Sequence, residues 1–333
     1  VEGDLAAVSD KDKIRLIDLS NDTPLLLGSI QEGSIDRLAM KGDRIGYLKE
    51  DRAYFVDVSN PNIPVPMGSL YLESPEDLKI VGNTAIVSVW GGIEVLDISQ
   101  GAPVVNHSFD MGEGANLFEI EAHQDYGHVA YVVSGVGRLH TVAIPENGTP
   151  YQLGSSTENE VLGYSTFTMT IGTGYVSVSG EGARRPPNSW SRYILPQYNI
   201  YDTTNLTAPV LRDRYTDDNT DQLYINQRDI ESVGNFVVMS SDFFGVLTVS
   251  ENVADGPPMR VGVIDEGQYY SDAAIGNGRV YGVTDTGLNI YQVDVDGNTL
   301  MDSPTAAPSG QPSTMPTAVP SGQPSRLPTG VPS

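Results

Sequence analysis

The sequence predicts an all-β protein, a seven-bladed β-propeller of four-stranded blades followed by an extended, polyproline II-like tail. Three observations support this prediction. An alternating apolar run closed by Asp and Ser recurs along the chain, a glycine turn between two apolar runs precedes its copies, and helical periodicity is almost absent. Clear copies of the Asp-Ser unit lie at 14–30, 53–70, 93–109 and 198–215, and degenerate copies lie at 139–154, 246–263 and 288–301.

Each repeat is predicted to contain two β-hairpins in series. The glycine turns read LAMKGDRIGYL at 38–48, LKIVGNTAIVSV at 78–89, IESVGNFVVMSS at 230–241 and AAIGNGRVYGVT at 273–284. Gly-Asp and Gly-Asn favour tight turns because these residues tolerate a positive φ. Four short strands in roughly forty residues, repeated along the chain, are typical of a β-propeller.

The blades can be placed in order along residues 1–302. The first four residues align with the end of an inner strand, so the first blade is predicted to be incomplete at its innermost strand, which an upstream segment or another chain would complete. In the third blade we expect strands at 77–82, 84–90, 93–99 and 103–109. The remaining blades are expected to begin near Ile35, Leu117, Thr166, Gln227 and Tyr269.

A change of composition separates a tail, residues 303–333, from the propeller. Proline recurs at every fourth position from Pro304 to Pro332, followed each time by Ser or Thr. This spacing disfavours helix and sheet and favours polyproline II, so we predict a semi-rigid spacer, with a disordered linker as the alternative. The candidate hydroxyproline and O-glycosylation residues are Pro304, Thr305, Pro308, Ser309, Pro312, Ser313, Pro316, Thr317, Pro320, Ser321, Pro324, Ser325, Pro328 and Thr329.

The charge balance restricts the class of partner. The chain has 43 acidic and 19 basic residues, a formal net charge of −24, and no cysteine. Nucleic acid and anionic membranes would be repelled at long range. The absence of cysteine excludes disulfides, thiolate metal sites and a cysteine nucleophile. No apolar run reaches the roughly 18 residues that a membrane-spanning helix needs.

The repeated unit has a definite motif: an apolar run, Asp, an apolar residue, Ser and then Asn-Pro-x-x-Pro. It is complete at 55–61, Phe-Val-Asp-Val-Ser-Asn-Pro, with Pro64, and its first part recurs at 16–20 and 95–99. This motif resembles the LVIVD-repeat family of surface-associated β-propellers over about residues 1–302. The resemblance implies the fold and a surface location, and it brings no shared catalytic motif.

The tail contains the motif PSGQPS twice, at 308–313 and 320–325. It resembles the PSGQPS-rich segments of secreted cell-surface proteins of stramenopile algae such as diatoms. Its Pro-Ser/Thr array is also similar to hydroxyproline-rich glycoproteins of algal walls and flagellar hairs. Both resemblances imply an extracellular, glycosylated protein.

The repeated aspartates at 18, 57, 97 and 202 are predicted to be structural rather than catalytic. An Asp that ends the third strand of a blade can accept backbone N–H bonds of the following turn, helped by the Ser or Thr two residues on. Replacing one by Ala is therefore expected to lower stability.

Four Asn-x-Ser/Thr sequons are candidate N-glycosylation sites. Asn21, Asn147 and Asn205 lie in the predicted turn before an outer strand, and Asn106 lies on an outer strand. These places face solvent at the periphery of a propeller, as glycosylation requires. The sequons predict a secreted glycoprotein.

The turns between second and third strands are predicted to form an interaction surface on one face. They contain both tryptophans and an arginine-bearing loop at 179–197. Aromatic residues and Arg are enriched in interface cores, although here they could instead cap the central channel of the propeller or cover the fifth blade. The candidate residues are Trp90, Arg184, Arg185, Trp190, Arg192, Phe243 and Phe244.

No metal, cofactor or catalytic site is predicted. Asp217, Asp218 and Asp221 form an acidic cluster that would bind calcium weakly at best. The four histidines, at 107, 123, 128 and 140, are accompanied by no HExxH or GxSxG motif.

Three functions remain open. The first is a structural extracellular glycoprotein, the repeating subunit of a surface filament or hair, with propellers packed head to tail and the tail contacting neighbouring copies. The alternative is a cell-surface adhesion module that binds carbohydrate or protein through Trp90, Trp190 and Phe243. The third is a hydrolase with an axial site, which no sequence feature favours.

Overall fold

All regular secondary structure in the described part of the chain is β-strand. The computed structural model describes residues 2–10, 12–21, 24–112, 115–134, 138–146, 148–156, 165–172, 174–184, 193–216, 227–233, 236–241, 246–251, 259–265, 270–276, 279–284, 287–294 and 299–301. No helix long and apolar enough to cross a bilayer occurs among these residues. The Pro/Ser/Thr-rich tail lies outside them.

The strands form successive antiparallel sheets in which strand order follows chain order. The first sheet has three strands, β1 (Leu5–Asp10), β2 (Lys13–Asp18) and β3 (Leu25–Gln31). The second consists of β4 (Arg37–Lys41), β5 (Arg44–Lys49), β6 (Arg52–Asp57) and β7 (Val65–Tyr71). The third consists of β8 (Pro75–Val81), β9 (Thr84–Val89), β10 (Gly92–Asp97) and β11 (Val104–Asp110).

Four further four-stranded sheets follow. The fourth is β12 (Ala115–His123), β13 (Gly127–Ser134), β14 (Leu139–Ile144) and β15 (Tyr151–Ser155). The fifth is β16 (Ser165–Gly172), β17 (Tyr175–Arg184), β18 (Tyr193–Asp202) and β19 (Val210–Thr216). The sixth is β20 (Gln227–Val233), β21 (Phe236–Ser241), β22 (Val246–Glu251) and β23 (Met259–Asp265), and the seventh is β24 (Tyr270–Gly276), β25 (Arg279–Thr284), β26 (Gly287–Asp294) and β27 (Thr299–Met301).

The strand positions agree with the expected ones. Each strand of the third sheet begins and ends within two residues of its predicted bounds, and the second and the fourth to seventh sheets begin within two residues of their predicted starts. Local apolar alternation and turn chemistry therefore suffice to locate the strands.

The hydrophobic core lies between neighbouring sheets. Central strands such as β5 and β9 bury four consecutive residues because both of their faces are covered. Apolar clusters join the first sheet to the second, the second to the third, the third to the fourth and the fourth to the fifth. Another cluster joins the seventh sheet to the first, through Tyr281, Leu288 and Ile290 against Ala6, Ile17 and Leu19.

The first strand of each four-stranded sheet is the innermost one. From β4 through β8, β12, β16, β20 and β24, each of these strands contacts the next. With the cluster between the seventh and first sheets, the sheets follow one another around a closed circuit. The last strand of each sheet consequently lies on the outside.

Candidate functional site

The corner aspartates lie at the ends of the third strands, as the sequence predicts. Asp18, Asp57 and Asp97 each accept a hydrogen bond through Oδ1 from the backbone N–H of the serine two residues on, at 2.8 Å. Asp202 accepts from the Thr204 N–H at 2.9 Å and from its hydroxyl at 2.7 Å. The predicted hydrogen bonds from the following turn to each Asp are confirmed by this geometry.

These hydrogen bonds stabilise the charged carboxylates. The hydroxyl and then the backbone N–H of Ser59 hold the pKa of Asp57 below its usual range, and Ser99 does the same for the pKa of Asp97. Arg44 adds to both shifts. The pKa values of Asp18 and Asp202 are lowered likewise by Ser20 and Thr204.

The lowered pKa values predict a loss of stability in acid. A carboxyl whose folded pKa lies below the unfolded value, about 3.9, contributes stability above that pH and loses it as the pH falls through the folded pKa. We expect the thermal midpoint to decline steeply below about pH 4. Asp57→Asn should reduce that decline and leave the midpoint at pH 7 slightly lower, as measured by circular dichroism. An unchanged pH profile in Asp57→Asn would contradict the prediction.

A second set of contacts, which sequence reasoning missed, joins neighbouring sheets at the outer strands. A Cβ on Gly28 of β3 would lie 2.2 Å from the carbonyl oxygen of Pro61, in the turn before β7. A Cβ on Gly154 of β15 would lie 2.3 Å from the carbonyl oxygen of Thr207, in the turn before β19. Each turn thus packs against the outer strand of the preceding sheet. The signal was the Gly-Ser pair that recurs at the fourth and fifth positions of the outer strands in LLLGS, VPMGS and YQLGS.

Two hydrogen bonds strengthen the same junctions. The Arg44 guanidinium of the second sheet donates to the carbonyl oxygen of Ile98 in the third at 2.6 Å. The buried Thr141 hydroxyl of the fourth sheet donates to the carbonyl oxygen of Leu206, before the outer strand of the fifth, at 2.5 Å. The turn that carries the Asn205 sequon is therefore a packing element as well.

The described sequon asparagines are exposed at the periphery. Asn21 and Asn205 lie in turns before outer strands. Asn106 is the extra residue of a β-bulge in β11, where Val95 pairs with His107 but Leu96 pairs with Val105. Asn205 accepts hydrogen bonds from the Thr207 N–H at 3.1 Å and the Thr207 hydroxyl at 2.9 Å. Asn147 lies outside the described residues.

The outer strands expose apolar side chains beside these asparagines. Seven such residues begin the five outer strands from β3 to β19, and each is between 46% and 59% exposed. We call them the apolar rim: Leu25, Leu26, Val65, Val104, Val105, Tyr151 and Val210. Each of these strands ends its sheet, so its outer edge has no strand partner within the described part of the chain.

Trp90 is the one predicted interface side chain that is described. It occupies the two-residue turn between β9 and β10 and is 72% exposed. Because the sheets are antiparallel, the end of β7, where Tyr71 is also exposed, lies on the same face. Arg184 ends β17, where its backbone pairs with Tyr193. Arg185, Trp190, Arg192, Phe243, Phe244 and the acidic cluster of Asp217, Asp218 and Asp221 lie outside the described residues.

The charged side chains of the inner strands are paired between neighbouring sheets. Lys79 on β8 forms an ion pair with Glu119 on β12, and Arg37 on β4 lies 4.0 Å from Asp77 on β8. His123 Nδ1 accepts the backbone N–H of Asp125, which makes it a turn residue. Among the described residues, no group of three or more His, Asp or Glu side chains is arranged to hold a metal ion.

Comparison with solved structures identifies the architecture. The chain superposes on the β-propeller domain of Cps50 (Swd1) from Myceliophthora thermophila with a TM-score of 0.64 and 12% identity, covering 87% of this chain and 94% of that one. The chain is a β-propeller. Sqt1 from Saccharomyces cerevisiae gives a TM-score of 0.62 at 10% identity, covering 89% and 81% of the two chains. A candidate 6-phosphogluconolactonase from Bacteroides uniformis gives 0.65 at 11% identity, covering 91% and 96%.

These similarities concern the fold alone, because every identity is far below the level at which function follows. No family model matches the sequence, and no curated protein matches it. The function of this propeller has to be argued from its own surface.

Proposed function

We propose that this protein is a structural extracellular glycoprotein, the repeating subunit of a surface filament or hair. In this proposal the chain forms a seven-bladed ring with an extended tail, the rings pack head to tail, and the tail contacts neighbouring copies. The observation that carries the proposal is the exposure of Trp90 at the tip of a two-residue turn on one face of the ring.

An exposed tryptophan on a tight turn favours association. Removing the exposed part of such a side chain from water is worth about 4 kcal/mol. The short β9–β10 hairpin fixes the backbone of Trp90, so little conformational entropy is lost on binding. Tyr71 is a second exposed aromatic side chain on the same face, and aromatic residues are enriched in interface cores.

The proposed location is extracellular, at the cell surface. It is supported by the exposure of Asn21, Asn106 and Asn205 in their sequons and by the tail composition. The net charge of −24 opposes close approach of copies, so assembly should require ionic strength near 0.15 M or above, where the Debye length is about 8 Å.

Electron microscopy with a Trp90 variant tests the proposal. The glycosylated full chain at about 0.15 M salt should form filaments. Trp90→Ser should raise the protein concentration at which they form by tenfold or more, because a tenfold rise corresponds to a loss of about 1.4 kcal/mol of binding free energy at each contact between copies. Ile63→Ser is the matched control, because Ile63 is 66% exposed but lies in a turn on the opposite face. The proposal would be contradicted if the glycosylated protein without substitutions formed only dispersed monomers, or if both variants had the same effect on the concentration at which filaments form.

The second candidate is an adhesion module that binds carbohydrate or protein, and the same Trp90 favours it, because an exposed indole offers a stacking surface for a sugar ring. A glycan array separates the two functions. Glycan binding that is lost in Trp90→Ser, without filaments, would support adhesion. A hydrolase with an axial site is the weakest candidate; the candidate lactonase shares the fold only, at 11% identity.

A further inference from the structure

Three of the outer strands lack the charged residues that usually protect a β-sheet edge, whereas β11 contains Asp110 and β19 contains Arg212, Asp213 and Arg214. Edge strands normally carry charged residues, above all Lys, or prolines that prevent pairing with another chain. β3 (LLLGSIQ), β7 (VPMGSLY) and β15 (YQLGS) contain no charged residue, in a chain with 62 charged residues, 43 acidic and 19 basic. Their first residues belong to the apolar rim. These edges therefore combine open backbone groups with exposed apolar side chains.

A sequon lies in or just before every outer strand from β3 to β19 except β7. Asn21 precedes Leu25 by four residues, Asn106 is adjacent to Val105, and Asn205 precedes Val210 by five. In the sequence, Asn147 has the same place before Tyr151. In the second sheet, the corresponding turn contains Asn60 and Asn62 but no sequon.

Among the outer strands from β3 to β19, only β7 contains a proline within the strand; the other four have a proline directly before the strand and a sequon nearby. Pro61, Pro64 and Pro66 surround the start of β7, and Pro66, within the strand, is exposed and has no N–H to donate. The bulge at Met67, between the pairs Phe55 to Gly68 and Val56 to Pro66, does not set this edge apart, because β3, β11, β15 and β19 contain bulges as well. Each outer strand from β3 to β19 thus has either a proline within the strand or a sequon in it or just before it.

From this alternation we propose that the N-glycans of Asn21, Asn106 and Asn205 shield the apolar rim and the open outer edges against pairing with other chains. A hydrated glycan attached at the turn or bulge covers the neighbouring apolar side chains and excludes an incoming strand. This inference rests on the extracellular location in the proposed function. It assigns the glycans a role distinct from the Trp90 contact, which lies on a face of the ring.

The modification itself is an ordinary group transfer. The asparagine Nδ2 forms a bond to the anomeric carbon of an oligosaccharide, the bond from that carbon to a lipid-linked diphosphate breaks, and the diphosphate leaves with the electron pair. The amide gives up one proton to the medium. The donor, a lipid-linked oligosaccharide diphosphate, belongs to the secretory pathway rather than to this chain.

The test uses the full chain secreted from a eukaryotic host, with Trp90→Ser in every sample so that head-to-tail assembly of the rings does not contribute. Asn21→Gln and Asn106→Gln are combined, because Gln ends the sequon without adding a protective charge. Asn205 is retained because its side chain orders the turn that packs on Gly154. Intact mass gives glycan occupancy, and light scattering over a concentration series gives association.

We expect the double variant to lose two glycans and to associate at concentrations at least tenfold lower than its parent. Adding Leu25→Lys and Val105→Lys should restore the monomer by supplying the missing charges. Asn62→Gln replaces an exposed asparagine outside any sequon, so it should change neither the glycan occupancy nor the concentration at which the protein associates. Pro66→Val should cause association even with all glycans present.

Unoccupied sequons, or a double variant that remains as monomeric as its parent, would overturn the proposal. Either result leaves the Trp90 experiment unaffected. Conversely, a failure of Trp90→Ser to reduce filament formation would contradict the proposed function. The glycan experiment would still compare the concentrations at which the double variant and its parent associate.

Discussion

Gly154→Ala is expected to destabilise the protein by about 3 kcal/mol, at the upper end of the range for overpacked sites. The added Cβ would lie 2.3 Å from the oxygen and 2.4 Å from the carbon of the Thr207 carbonyl, and 2.7 Å from the Leu206 oxygen. These atoms belong to the backbone, so no side-chain rotation relieves the overlap. The whole turn before β19 would have to move off β15.

That movement would also break a buried hydrogen bond. The Leu206 carbonyl accepts the Thr141 hydroxyl, and the Leu206 side chain packs against the cluster between the fourth and fifth sheets. Entropy of the unfolded chain offsets the cost by only about 0.4–1 kcal/mol. Urea denaturation of the two proteins gives the difference.

The matched control is Gly91→Ala. An added Cβ on Gly91 has no heavy atom within 4 Å, and its backbone is not in the left-handed region. We expect this variant to be neutral or slightly stabilised. Equal stabilities of Gly154→Ala and Gly91→Ala would show that the turn does not hold the two sheets together.

The strand pattern and the corner aspartates could be predicted because they depend on residues close in sequence. Each strand follows from local alternation, and each Asp accepts from a residue two positions away. The contacts between sheets could not be predicted in this way. Gly28 meets Pro61, and Arg44 meets Ile98, only after the curvature of the ring has set the distance between neighbouring sheets.

The candidate site shows the same division. The exposure of Trp90 follows from its place in a two-residue turn, which the repeat alignment locates. The apolar rim was not foreseen, because alternation alone predicts that Leu25 or Val104 belongs to a buried face. These residues are exposed because they begin outer strands, where no neighbouring sheet covers their side chains. Sequence reveals that a residue is apolar, and only the sheet order reveals that nothing covers it.

Ile290→Ala is expected to lower the free energy of unfolding by about 2–5 kcal/mol and to weaken the closure of the ring. Ile290 packs with Tyr281 and Leu288 against Ile17 and Leu19, so this cluster joins the two ends of the propeller. In the described part of the chain the first sheet is β1 to β3 and the seventh is β24 to β27, with no strand shared between them. Side-chain packing therefore has to hold the junction between the seventh and the first sheet together, and we call this junction the seam.

The seam has a small margin. Joining chain segments roughly 270 residues apart costs about 5 kcal/mol in loop entropy, apart from a constant term, whereas burying each large apolar side chain gains about 1.5–3 kcal/mol. Ile290→Ala removes most of one such side chain, and with it a substantial part of the free energy by which burial at the seam exceeds the loop entropy. Sheets within the circuit are held by the chain connecting them and do not face this cost.

Ile144→Ala provides the comparison, because Ile144 is equally buried but lies between the third and fourth sheets. Both variants should lower the free energy of unfolding. Only Ile290→Ala should speed hydrogen exchange selectively in β1, β2, β25 and β26, since opening the seam exposes those strands while the rest of the ring remains folded. Uniformly faster exchange in Ile290→Ala would mean that the propeller unfolds as one unit, with the seam no weaker than any other junction.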